Sequence, residues 1–181
     1  MMTRQVFAGR RQFVVCSFAA ALFAATSTLI PRTGNAQQDK VHTSMGALKA
    51  RTAQLGVPKI AGSDKVDGKD VPALYFGPTR MNNFFEVVDD VVEQNGGTAT
   101  IFVKADNEYV RIATNVKKQD GSRAIGTILD PDGPAIAMIR KGEAYYGDAM
   151  ILGKPYVTGY EPIRDASGSV IGIYYVGYLR P

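Results

Sequence analysis

Arg111 is the residue in this chain whose type and position invite chemistry. It sits in Tyr109-Val-Arg-Ile-Ala-Thr114, an alternating apolar segment that reads as a β-strand. Two-residue alternation predicts Tyr109, Arg111 and Ala113 on one face and Val110, Ile112 and Thr114 on the other. A second strand places Tyr156, Thr158 and Tyr160 together on one face. An arginine flanked by hydroxyls on a concave sheet suits a small anion or carboxylate, because its fork can hold two oxygens. The alternative is an arginine paired structurally with a local acid such as Glu161 or Asp148. Spacing alone leans towards that pairing.

Other chemistry finds little support. His42 is the only histidine and Cys16 the only cysteine, so a transition-metal site lacks its usual ligands. Gly147 to Lys154 departs from a phosphate loop: five residues separate Gly147 from Gly153, and Pro155 stands where Ser or Thr is needed. No Gly-x-Ser-x-Gly elbow is present. Asp130 and Asp132 begin a calcium-loop pattern that the following residues do not continue, which favours a turn leading into a helix. The expectation is a non-enzyme with no cofactor and no metal.

The elements that must position Arg111 lie between Thr98 and Leu179. Thr98–Val103 and Tyr109–Thr114 flank an Ala105–Glu108 reversal; Tyr156–Ile163 and Val170–Tyr178 flank Asp165–Gly168. Tyr145 opens a further strand through Leu152, turning at Gly153-Lys154. Upstream, Val41, Met45, Leu48, Thr52 and Leu55 mark one face of a helix over Asp39–Leu55, stopped by Gly56 and Pro58. Residues 61–70 read as a polar loop and Val71–Phe76 as the first strand. Asn82 or Asn83 is expected to cap a helix through Phe84–Val92, with Glu86, Asp89, Asp90 and Glu93 on a solvated face. A short helix is expected over Ala135–Arg140. The order describes an α+β domain with one antiparallel sheet.

The first 36 residues carry Arg4, Arg10, Arg11 and Arg32, no acid, an apolar run from Phe13 to Ile30 and the small exit Gly34-Asn-Ala36. This pattern predicts a cleaved export signal and a periplasmic or secreted mature protein that does not span the membrane. Arg10-Arg11-Gln12-Phe13-Val14 resembles a twin-arginine signal. Removing four arginines from 21 basic side chains leaves 17 against 17 acids, so the mature chain has no positive field for nucleic acid. The expected division is signal over 1–36, helix and polar loop over 37–70, and ligand-binding domain over 71–181.

Gly97-Thr-Ala-Thr-Ile-Phe-Val103, Val110-Arg-Ile-Ala-Thr114, Asp120-Gly-Ser-Arg-Ala-Ile-Gly-Thr127, Tyr145-Tyr-Gly147, Tyr156–Ile163 and Asp165–Gly172 together resemble a Cache domain. The resemblance is to the single Cache type 3 group and Cache 3/Cache 2 fusions, over roughly Val71 to Leu179. It implies a PAS-like fold, with a five- or six-stranded antiparallel sheet, an N-terminal helix behind it and extracytoplasmic sensing of small ligands. Related citrate and dicarboxylate sensors use an arginine where this chain has Arg111 and a polar partner where it has Thr114. They carry basic residues where it has Thr158 and Tyr160, so a monocarboxylate, a less charged metabolite or an aromatic compound is expected instead. The expected contacts are Arg111, Thr114, Arg123, Tyr146, Tyr156, Thr158 and Tyr160. In receptors the last strand enters a transmembrane helix. Ending at Leu179-Arg180-Pro181, this chain is expected to deliver or present its ligand to a membrane-bound receptor or kinase. The competing expectation is a structural or interaction module with a vestigial pocket.

Overall fold

The computed structural model describes residues 33–181. The export signal, the paired arginines and Cys16 fall almost wholly outside that range. The chain order is α1 (Thr33–Ala53), β1 (Pro58–Val66), β2 (Lys69–Phe76), β3 (Thr79–Arg80), α2 (Glu86–Asn95), β4 (Thr98–Ala105), β5 (Glu108–Thr114), α3 (Pro134–Arg140), β6 (Tyr145–Ile151), β7 (Lys154–Arg164) and β8 (Val170–Leu179). The strands form a five-stranded antiparallel sheet ordered β5-β4-β8-β7-β6 and a three-stranded sheet ordered β1-β2-β3.

The two hairpins expected around residues 105–108 and 165–168 form as β4–β5 and β7–β8, and β6 joins through the Leu152-Gly153 turn. Their β-branched and aromatic residues pack one or both faces, which is what makes such strands legible. The helical face works similarly: Val41, Met45, Leu48 and Thr52 are buried as α1 lies across β7 and β8.

Three expectations need correction. Residues 61–70 are not a loop; they form most of the β1–β2 hairpin, turning at Asp67-Gly68. Only Val66 of β1 is buried, so this strand is held by backbone pairing and shows no apolar alternation. Val71–Phe76 is a strand, but of the smaller sheet rather than the main one. Asn82 does not cap α2. Its side chain accepts from the Leu74 N–H at 2.9 Å and donates to the Pro72 carbonyl at 3.2 Å, continuing the edge of β2, and α2 starts four residues later.

The main sheet separates two apolar layers. One face packs against α1, α2 and the small sheet through residues such as Leu48, Phe76, Val88, Ile101 and Val176. The other face, bearing Phe102, Tyr109, Tyr160, Ile173 and Tyr175, is covered by α3 and the segment before it through Val116, Leu129, Ile136 and Ile139.

Candidate ligand-binding site

Arg111 is carried to this second face by an irregularity in β5. Ile101 pairs with Ala113 and Phe102 with Arg111, leaving Ile112 without a cross-strand partner. Thr100 and Phe102, two apart on β4, share a face, so their partners Thr114 and Arg111 share it as well. The strict alternation expected from sequence therefore fails here: Thr114 joins Arg111, and Ala113 turns to the α1 side. Across the sheet Tyr145, Tyr160, Tyr175, Thr100 and Thr114 form one continuous row.

The outer edge of β5 is closed by residues 126–129. The Arg111 N–H donates to the Thr127 carbonyl and the Gly126 N–H to the Arg111 carbonyl, both at 2.9 Å. Gly126 has φ +73°, and a Cβ there would lie 2.5 Å from Asp67 Cβ, so a side chain is excluded at the bend. That bend delivers the Thr127 hydroxyl to Arg111 Nη1 at 2.7 Å, while the hydroxyl itself donates to the Ala124 carbonyl.

Arg111 is 4% exposed, its guanidinium lies 5.1 Å over the Phe102 ring, and its Nε has no hydrogen-bond partner among the described residues. The structural partners that sequence offered it are engaged elsewhere. Glu161 accepts from Lys49 and Tyr146, and Asp148 pairs with Arg180. None of the ion pairs among the described residues includes Arg111. The other unsatisfied buried polar atom, Asp64 Oδ2, at least has Arg80 at 3.3 Å. Burial lowers the Arg111 pKa, and the Tyr175 and Tyr160 hydroxyls act the other way. A buried cation without a counterion is costly.

The guanidinium borders a cavity of about 160 Å³ lined also by Tyr160, Asp130, Gly133, Ile128 and Ile151. The hydroxyls of Tyr145, Tyr146, Tyr174, Tyr175 and Tyr178 all meet protein partners. That of Tyr160 meets none among the described residues. Burial, assisted by Tyr175, raises the Tyr160 pKa, so its hydroxyl stays a donor. The cavity thus offers an acceptor-bearing ligand a guanidinium N–H and a phenol O–H.

Of the seven residues expected to touch a ligand, Arg111 and Tyr160 line this cavity. Thr114 and Thr158 share the face but spend their hydroxyls inside the protein, on Thr100 at 2.6 Å and on the Gly147 carbonyl at 2.7 Å. Tyr156 lines a neighbouring cleft with Thr98, Lys117 and Lys154. Tyr146 points to the opposite face, where its ring stacks on His42 at 4.1 Å and its hydroxyl donates to Glu161. Arg123 forms a two-pronged pair with Asp89 at 2.8 and 2.7 Å and lies over Phe85, so Asp89 is not the solvated charge expected. Two lining or positioning residues went unmarked in the sequence, Thr127 and Asp130. The signal for both was the polar turn-rich segment between β5 and α3.

Among the described residues no group of three His, Cys, Asp or Glu side chains converges on a metal position. No described helix is long and apolar enough to cross a membrane. No curated protein shows significant similarity to the chain. The Cache 3/Cache 2 fusion domain matches residues 22–180, well beyond the Val71–Leu179 region that carried the resemblance. The α+β architecture is PAS-like, and Cache domains are generally extracellular modules that sense small ligands. The chain belongs to the Cache 3/Cache 2 fusion domain family.

Proposed function

We propose that this protein is an extracytoplasmic small-ligand-binding domain that holds a short organic acid on Arg111 and Tyr160 without transforming it. The single observation behind this reading is the buried Arg111 guanidinium, which has no ion pair among the described residues and borders a cavity. A carboxylate supplies the missing acceptors and offsets the desolvation cost. Size narrows the class: a cavity of ~150 Å³ accepts a molecule of about six heavy atoms. At about 160 Å³ this one suits a short monocarboxylate better than an aromatic acid or a tricarboxylate. Residues 1–36 act as the export signal, Arg10-Arg11 as its twin-arginine element, and a membrane-bound receptor or kinase reads the bound state.

A second reading has its own support. Val116, Leu129, Ile136 and Ile139 already fill much of the face that would otherwise be pocket. On this reading the pocket is vestigial and the domain works by contacting a protein. Thermal unfolding with acetate, propionate and lactate separates the two. Ligand at 100 times its Kd stabilises by about 2.7 kcal/mol, several degrees for a domain of this size. A shift abolished by Arg111→Met supports binding. No shift with any short acid up to tens of millimolar overturns it in favour of the interaction module.

A further inference from the structure

The Arg111 cavity contains a second charge. Asp130 lines it together with Arg111, Tyr160 and Gly133, yet it forms no ion pair with Arg111 or with any other described base. One carboxylate oxygen, Oδ1, accepts the Asp132 N–H at 3.0 Å and braces the turn into α3. The other, Oδ2, has no hydrogen bond among the described residues and lies against Gly133, 3.2 Å from where a Cβ would stand. The carboxylate is near enough to Tyr160 to help raise the hydroxyl's pKa, behind burial and the effect of neighbouring tyrosines.

Opposite charges that line one cavity without meeting are both poorly compensated. A single molecule with an anionic and a cationic end compensates both. We propose that the cavity selects a small zwitterion, an α-amino acid of glycine or alanine size. Its carboxylate lies on Arg111 and Tyr160 and its ammonium on Asp130 Oδ2. The rest of the wall, Ile128, Pro134, Ala149 and Ile151, is apolar and suits a hydrogen or methyl side chain but no second charged group. Alanine has six heavy atoms, within what a cavity of this size holds. The inference rests on the anion-binding reading above and adds the cationic end.

Calorimetric titration of the purified protein with L-alanine, propionate and ethylamine tests it, since the last two each remove one charge from alanine. The expected result is L-alanine bound at least about tenfold more tightly than propionate, with ethylamine not bound. Asp130→Asn keeps an oxygen for the Asp132 N–H while removing the charge. It is expected to weaken alanine about tenfold and leave propionate equal or tighter, so the preference disappears. Arg111→Met loses both acids. If propionate binds as well as alanine and depends on Arg111, the zwitterion inference fails while the anion site stands. Equal weakening of both acids by Asp130→Asn, with a lowered Tm, makes Asp130 structural and overturns the inference. Binding of neither acid removes both readings.

Discussion

The two faces of the main sheet are built from the same residue types and treat them differently. On the α1 face, every polar group is matched. Glu161 takes Lys49 and Tyr146 at 2.5 Å each, Ser44 meets Tyr178 at 2.7 Å, and Thr52 meets Tyr174 at 3.1 Å. The α3 face also satisfies its threonines and Tyr175, but leaves Arg111 Nε and the Tyr160 hydroxyl without protein partners. Residue type does not distinguish a structural cluster from a binding site here. What distinguishes them is the hydrogen-bonding capacity left over once the protein has paired what it can.

The largest test of this contrast is a core truncation on the matched face. Leu48 is wholly buried under α1, and Leu48→Ala should cost about 2–5 kcal/mol in denaturant unfolding. Glu161→Ala, which strands the Tyr146 hydroxyl and frees Lys49, should cost about 1–2 kcal/mol. Opposite in sign is Arg111→Met, which removes an uncompensated buried charge. It should leave stability unchanged or raise it by about 1 kcal/mol while abolishing ligand binding. A loss comparable to Leu48→Ala would mean that Arg111 is structural and the faces are alike.

Smaller effects sharpen the same point. Tyr160→Phe removes a hydroxyl with no protein partner, so stability should stay within about 0.5 kcal/mol while acid affinity falls. Glu161 supplies a pH signature for the matched face. Burial pushes its carboxyl up, but the hydrogen bonds from Lys49 and Tyr146 and the Lys49 charge outweigh it, leaving the pKa below the usual 4.5. A lowered carboxylate pKa stabilises the fold above the unfolded-state value, and that stability is lost as pH falls through the folded one. Between pH 5 and 3, wild type should therefore lose more stability than Glu161→Gln.

The sequence made the main sheet readable because its strands are marked twice, by β-branched or aromatic residues and by Asp/Asn/Ser/Gly reversals. It hid β1, whose residues are nearly all exposed and carry no period. Arg111 stood out by type, and Tyr160 by its strand. Their meeting at one cavity depends on the unpaired Ile112, because a bulge changes facing without a mark in composition. Arg123 and Tyr146 were expected near the ligand for their chemistry, but their partners Asp89 and Glu161 lie 34 and 15 residues away. Pairings at such separation are settled by packing, not local pattern. Asp130 was readable as a turn residue and proved to be a cavity wall as well.

The central claim is that Arg111 is buried for a ligand and not for the fold. The most direct measurement is the thermal unfolding of wild type and Arg111→Met, each with and without a saturating short amino acid or monocarboxylate. The account predicts that ligand raises the wild-type Tm by several degrees and leaves that of Arg111→Met unmoved. It also predicts that unliganded Arg111→Met melts at or above unliganded wild type. A variant that melts far lower, or that still responds to the ligand, would contradict it.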